Sequence, residues 1–321
     1  MRIVFMGTPQ FAVPCLDILI KSKHQIIAVV SQPDKPQGRK MLTVPTPVKM
    51  LAESHNITVL QPESLKSLEF KSLIEKLNPD LFVTCAYGKM LPNEILNIPK
   101  NGCINVHASL LPKYRGAAPI QWSIIRGEKF TGITTMLTEI GMDTGPILYS
   151  EKIQIDLNVT YGELQDQLMK LAPNVLINTL DLLSRGEITP VAQDGISATY
   201  APMLSREDGI IKWVKSAEDL HNLIRGINPW PCAYTWFEGK RLKILSSQVN
   251  DIFENDLKRV PGEIINISNI GITIACGSGS IIISEVQPES GKVMSAKSFA
   301  NGSHVSIGDA FSISNDYSED S

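Results

Sequence analysis

Residues 2–30 read RIVFMGTPQFAVPCLDILIKSKHQIIAVV. Arg2 to Met6 form a short apolar run that stops at Gly7-Thr8-Pro9. Phe11 to Leu19 space their apolar residues as a helix does, and Ile26 to Val30 read as a second buried strand. Strand, helix, strand is the opening of a parallel sheet. The rhythm continues with helices expected near 46–54, 64–77, 92–97 and 117–126, and strands near 58–60, 81–85, 103–107 and 131–138. Strand material at 147–155 precedes a long helix over 160–184. This alternation predicts a doubly wound α/β domain over residues 1–188.

After Gly186 the pattern changes. Residues 189–207 carry Thr189-Pro190 and Asp194-Gly195 with little periodicity, and read as a linker. A helix is expected near 217–225. Short segments then follow, separated by Glu238-Gly239, Pro261-Gly262, Gly271 and Gly277-Ser278-Gly279. Close spacing with glycine turns predicts a small β-barrel domain over 208–313. The last residues, 314–321, form an acidic tail.

The chain has 321 residues, a net charge of −3, 43% hydrophobic and 20% charged residues. That composition belongs to a globular enzyme with material for two cores. No apolar run is long enough to span a membrane, and the N-terminus lacks the parts of a secretory signal. Five cysteines, none in a CxxC pair, read as buried thiols of a cytoplasmic protein. Neither half is strongly basic, so a nucleic-acid partner has to be held by a local Lys/Arg cluster. No histidine stands in a metal-ligand spacing, and no metal site is expected.

In an open α/β sheet, ligands bind beyond the carboxyl ends of the strands. Gly7-Thr8-Pro9 follows the first strand but is not GxGxxG, so it reads as a plain strand-to-helix turn. The strand at 103–107 ends in Asn105-Val106-His107, which places Asn105 and His107 on one side. A buried polar group left unpaired costs about 1–3 kcal/mol, so two of them at a strand end call for a reason. They run into Ala108-Ser109-Leu110-Leu111-Pro112-Lys113-Tyr114-Arg115-Gly116, a loop whose amides and aliphatic walls suit a flat heterocycle. Asp143 lies in the glycine-flanked turn after the next strand, either bonding its own backbone or standing beside His107. An Asn able to donate to an oxyanion with an Asp–His pair that moves protons fits acyl transfer to an amine. Lys240, Arg241 and Lys243 next to the Gly239 turn are the best basic cluster of the second domain; a solvated hairpin is the alternative.

Asn105-Val106-His107 followed by Ser109-Leu110-Leu111-Pro112, with Asp143 inside Gly141-Met142-Asp143-Thr144-Gly145, resembles the signature of enzymes that use 10-formyltetrahydrofolate. Met6 to Leu16, Gln32-Pro33-Asp34-Lys35-Pro36 with Gly38-Arg39, and Asn228-Pro229-Trp230-Pro231 resemble the methionyl-tRNA formyltransferase family in particular. The resemblance implies a Rossmann-like formyltransferase domain followed by an OB-like barrel. It implies formyl transfer from 10-formyltetrahydrofolate, a co-substrate, to the α-amino group of methionyl initiator tRNA, in support of translation initiation. It further implies that Asn105, His107 and Asp143 are catalytic. Ser109, Leu110, Leu111 and Pro112 would line the folate site, helped by Tyr87, Gly88 and Leu91. Arg39 and Lys40 would meet tRNA from a loop over 32–48, joined by Lys240, Arg241 and Lys243 of the barrel. The expected form is a monomer.

Overall fold

The computed structural model describes residues 1–37, 42–250 and 259–314. The chain forms two compact units. The first takes Met1–Pro119, Phe130–Ile153 and Gln165–Pro202; the second takes Ile120–Lys129, Gln154–Leu164 and Met203–Ser321.

The chain begins with β1 (Arg2–Gly7), α1 (Val13–Ile20), β2 (Gln25–Val30) and a hairpin of β3 (Lys35–Gln37) and β4 (Leu42–Val44). Next come α2 (Pro47–Ser54), β5 (Val59–Leu60), α3 (Leu68–Leu77), β6 (Leu81–Cys85), α4 (Asn93–Leu96) and β7 (Cys103–His107). Then come β8 (Arg115–Gly116), α5 (Pro119–Ile125), β9 (Phe130–Leu137), β10 (Ile147–Gln154), α6 (Tyr161–Arg185) and β11 (Tyr200–Ala201). Capping sets the helix starts. Ser67 accepts from the Phe70 N–H, so α3 begins at Leu68 and not at residue 64. Thr160 and Glu163 form a reciprocal capping box in front of α6.

The main sheet of the first unit has the order β10-β9-β7-β6-β1-β2-β5. The strands from β5 to β7 run parallel, while β9 runs antiparallel to β7. The sheet is therefore mixed, where strand–helix alternation alone suggests a parallel one. A parallel return needs a crossover, usually a helix packed on the sheet. The helical residues Ile120–Ile125 between β7 and β9 cluster with the second unit instead. β1 is buried on both faces from Ile3 to Met6, as a central parallel strand must be. Val4, Met6, Ala28, Val30 and Phe82 pack with Phe70, Ile74 and Ile95 in one core cluster.

Strand order reverses direction between β1 and β6, so the crevice for ligands lies past the ends of these strands and of β7. Gly7 closes β1 there. A Cβ at Gly7 would stand 2.8 Å from Phe5 Cε1, 2.9 Å from Ala12 Cβ and 3.1 Å from the Cys85 carbonyl oxygen. Close packing, not a phosphate, explains this glycine.

The 189–207 stretch reads as a linker, yet much of it is paired into the first unit. Val191 bridges Ile147, and β11 pairs with β8 in parallel. After Pro202 this stretch passes into the second unit, which takes Met203 onward.

The second unit contains α7 (Ala217–Gly226), β12 (Ala233–Phe237), β13 (Lys240–Asn250), β14 (Ile264–Ile267), β15 (Ile272–Ala275), β16 (Ser280–Pro288), β17 (Met294–Ser295) and α8 (Ala296–Gly302). Its antiparallel sheet has the order β12-β13-β16-β15-β14, with β17 also on β16. Residues 310–312 close it: Ser312 bridges Trp236 of β12, and Ala310 bridges Glu263, next to β14. Both edges meet the same segment, which makes a small barrel. Glu238 and Gly239 both have positive φ (47° and 71°), as a two-residue hairpin turn requires. Trp213, Phe237, Phe299 and Phe311 supply its aromatic core.

Gly7→Ala forces a methyl into the β1–β6 contact and should destabilise the first unit by about 1–3 kcal/mol, the usual cost of overpacking. Chemical denaturation of parent and variant measures it.

Candidate functional site

β7 delivers the polar pair. It lies between β6 and β9, with Thr84 and Met136 opposite Asn105 and Thr134 opposite His107. The Thr84 hydroxyl donates to Asn105 Oδ1 at 2.8 Å. That bond fixes the amide orientation and leaves the Asn105 NH2 as the group free to donate elsewhere.

His107 is buried, and its Nε2 lies 2.9 Å from the carbonyl oxygen of Tyr114. A carbonyl only accepts, so Nε2 carries the ring proton. Nδ1 then faces Asp143 Oδ2 at 3.6 Å. This spacing is longer than a direct hydrogen bond, and with both atoms acting as acceptors the pair closes only around a proton or a water placed between them. The same Asp143 oxygen accepts from the Gly116 N–H at 2.8 Å. Asp143 has φ 52°, in the left-handed region that Asp tolerates better than most residues. Tyr114 and Gly116 thus hold His107 and Asp143 from the same loop.

That loop is laced by side chains. Thr134 Oγ1 donates to the Ser109 carbonyl and accepts from the Leu111 N–H. Ser109 is fully buried, and its hydroxyl donates to the Lys113 carbonyl at 2.7 Å. Its hydroxyl therefore serves the loop's own shape. Leu111 is also buried, while Leu110 and Pro112 are half-buried.

After β6, Tyr87 is buried in the core cluster with Leu91 packed against it. Burial pushes the Tyr87 phenol up to about 12. Its carbonyl accepts from Thr8 Oγ1 at 3.0 Å and Gln32 Nε2 at 2.8 Å. Gly88 has φ 81°, and a Cβ there would lie 2.5 Å from Gln32 Nε2. Tyr87 and Leu91 are thus part of the apolar core at this end of the sheet, where the buried Tyr87 hydroxyl has no hydrogen-bond partner among the described residues.

The base of the β3–β4 hairpin is tied by Lys49 Nζ, which donates to Asp34 Oδ2 at 2.6 Å and Gln61 Oε1 at 2.9 Å. The Lys49 and Gln61 hydrogen bonds hold the Asp34 carboxyl below its ordinary value. Arg39 and Lys40 lie outside the described residues. In the second unit Lys240 and Arg241 are exposed and Lys243 half-buried. The Arg241 guanidinium lies 5.5 Å from the centre of the Tyr234 ring. Among the described residues no cluster of three or more His, Cys, Asp and Glu could hold a metal, and no helix is long and apolar enough to cross a membrane.

The formyl transferase family model matches residues 1–180, and the model of the formyl transferase C-terminal domain matches residues 203–304. The methionyl-tRNA formyltransferase of Acetivibrio thermocellus is 50% identical over 309 residues, covering 96% of this chain and 99% of that protein. That of Alkaliphilus oremlandii is 48% identical over 308 residues, covering 96% and 98%. The chain belongs to the methionyl-tRNA formyltransferase family. Among solved structures, the N-formyltransferase from Helicobacter canadensis in complex with folinic acid and dTDP-3-aminofucose superposes with a TM-score of 0.68 at 18% identity, over 90% of this chain and all of that one. At that identity the likeness concerns the fold of formyltransferases and not their acceptors.

Sequence reasoning missed Thr84 and Thr134, whose hydroxyls bond Asn105 and the 109–111 backbone, and Gln193, whose amide donates to the Asp143 carbonyl. Thr84 and Thr134 sit in strands where threonine is ordinary, and Gln193 sits in a stretch that looks like a linker. Arg115 and Gly116 lie in the loop after β7 but carry no distinguishing signal in the sequence.

Thr84→Val removes the donor that orients Asn105 and nothing else of size. With about 1 kcal/mol for one neutral hydrogen bond, turnover should fall roughly fivefold while the fold persists. Steady-state kinetics with a thermal melt checks both.

Proposed function

We propose that this chain transfers the formyl group of 10-formyltetrahydrofolate to the α-amino group of methionine on initiator tRNA, with Asn105, His107 and Asp143 as the reacting centre. The observation that carries the reading is the His107–Asp143 pair, 3.6 Å apart, with Asn105 on the same side of β7 as His107, in a chain 50% identical to one methionyl-tRNA formyltransferase over nearly its whole length.

The nucleophile belongs to the substrate. The neutral methionyl amine attacks the formyl carbon, and the carbonyl electron pair moves onto oxygen. The Asn105 NH2, aligned by Thr84, donates to that oxyanion. The new C–N bond leaves a proton on the amine, which Asp143 takes directly or through water. His107 keeps its Nε2 proton on the Tyr114 carbonyl, which leaves the Nδ1 lone pair to share the proton that Asp143 has taken. Collapse of the tetrahedral species breaks the bond to folate N10, which as it leaves takes from the Asp143–His107 pair the proton that the amine gave up. All atoms are accounted for with no covalent enzyme intermediate and no metal step.

The folate ring would rest on the 109–112 loop, where Leu110, Leu111 and Pro112 supply aliphatic surface and the main chain supplies polar groups; Ser109, buried and bonded to Thr134 and Lys113, would support that loop from beneath. Tyr87, Gly88 and Leu91 would form the floor. Transfer RNA would be gripped by Arg39 and Lys40 of the 32–48 loop and by Lys240, Arg241 and Lys243 of the barrel. Tyr234 and Trp236, paired across from Lys243 and Arg241, add aromatic surface to that cluster.

Purified protein supplied with 10-formyltetrahydrofolate should formylate charged initiator tRNA and leave charged elongator methionyl-tRNA and amino-sugar nucleotides untouched. Preference for an amino-sugar nucleotide would end this reading. Asp143→Asn keeps the size and the tolerance for positive φ but removes the charge. It should lower turnover by about 10²–10⁴, the range for a general acid–base group, with folate affinity unchanged. In the barrel, Arg241→Ala should reduce the salt dependence of tRNA binding by about 0.7–0.9 in logarithmic slope, the share of one lost phosphate contact. Titrations at several salt concentrations measure that slope.

A further inference from the structure

We infer that Gln193, together with Arg115, is a positioning residue that sets Asp143 against His107; the inference rests on those two residues forming the reacting centre proposed above. The Gln193 amide joins two loops at once. Its Nε2 donates to the Asp143 carbonyl at 2.9 Å and the Gly145 carbonyl at 2.7 Å. Its Oε1 accepts from Arg115 Nε at 3.0 Å and Arg115 Nη2 at 2.8 Å. Among side chains of this length only a glutamine offers two N–H donors and an acceptor from one planar end. The arrangement admits no flip, because a reversed amide would set its oxygen against two carbonyls and its NH2 against a guanidinium.

Three consecutive residues of the neighbouring loop carry the consequence. The Tyr114 carbonyl holds His107, the Arg115 guanidinium holds Gln193, and the Gly116 N–H holds the Asp143 carboxylate. Asp143 is thereby fixed at its backbone by Gln193 and at its side chain by Gly116, and both supports meet at 115–116. This accounts for a non-glycine residue kept at positive φ, a conformation that persists where the surroundings over-determine it. The segment bearing Gln193 also shapes the loop directly. Thr199 accepts from the Tyr114 N–H through Oγ1 and from the Arg115 N–H through its carbonyl. Gly116 lies so near Ala201 that a Cβ would come within 2.7 Å of its carbonyl oxygen.

Gln193 stands away from the reacting atoms, so its loss should slow the chemical step while leaving folate binding alone. Gln193→Glu keeps the length and the acceptor for Arg115 but removes both N–H donors and sets a carboxylate against two carbonyls. It should lower kcat roughly 10- to 100-fold, the effect of a small displacement at a reacting centre, with KM and Kd for the formyl-folate unchanged. The double variant Gln193→Met with Arg115→Met removes the bridge and the buried guanidinium together. It should melt as a folded protein and show the same kcat loss.

A Gln193→Glu protein with parent kcat would overturn the inference. So would a loss of folate affinity in step with kcat, which marks a general loosening of the fold. Asp143→Asn, run alongside, separates the two proposals. If it is slow while Gln193→Glu is at the parent rate, only the positioning role fails. If it turns over like the parent, the reacting centre is wrong and the positioning role falls with it.

Discussion

The site depends on the backbone ladder that seats β7 between β6 and β9. Asn105 and His107 share a side of that strand because side chains alternate, and they meet Thr84 on β6 and Thr134 on β9 because the register sets them opposite. A slip of one residue would turn both toward the other face and bring Ile104 and Val106 to the crevice. Burial of Ile104 and Val106 on the opposite face is what forbids that slip. The hydrophobic pattern of an apolar strand thus positions two polar groups.

The loop after β7 is held by polar side chains as well as by burial of Ala108, Leu111, Tyr114 and Ala118. From Ala108 to Ala118 it has little regular structure of its own, yet Thr134, Thr199 and Gln193 meet its backbone or its arginine. Each of these bonds is modest alone, but inside a partly desolvated loop an unmade bond costs more than a made one contributes. The outcome is a rigid frame in which His107 and Asp143 approach to 3.6 Å without closing. In the reaction proposed above, an Asp143–His107 pair held slightly open suits a step in which a proton must arrive from the substrate amine.

The second unit solves a separate problem. Its sheet would expose an edge at β12 and another at β14, and the segment at 310–312 pairs against both. Pairing of this segment covers the β12 and β14 edges, and Lys240 and Arg241 remain exposed on the closed sheet. Arg241 rests over Tyr234, so its charge is held on an aromatic face and not on a free stem.

By itself the sequence determined most of the strands and helices, because periods of two and of 3.6 residues are local properties of burial, but in it residues 32–48 read as a loop where the structure forms the β3–β4 hairpin. It also determined the break in architecture toward the C-terminal end, the glycine-turn barrel and the identity of Asn105, His107 and Asp143 as an unusual polar set at strand ends. Only the tertiary structure decided the direction of β9, because strand direction follows from where the connecting helix packs, and that helix joins the other unit. It alone showed that Ser109 and Tyr87 turn inward and that residues 191–202 are stitched to the first unit. It alone singled out Gln193. A glutamine in a polar, aperiodic stretch looks like any solvated side chain. Its meaning lies in partner atoms 48 to 78 residues away in sequence, adjacent only once the chain is folded.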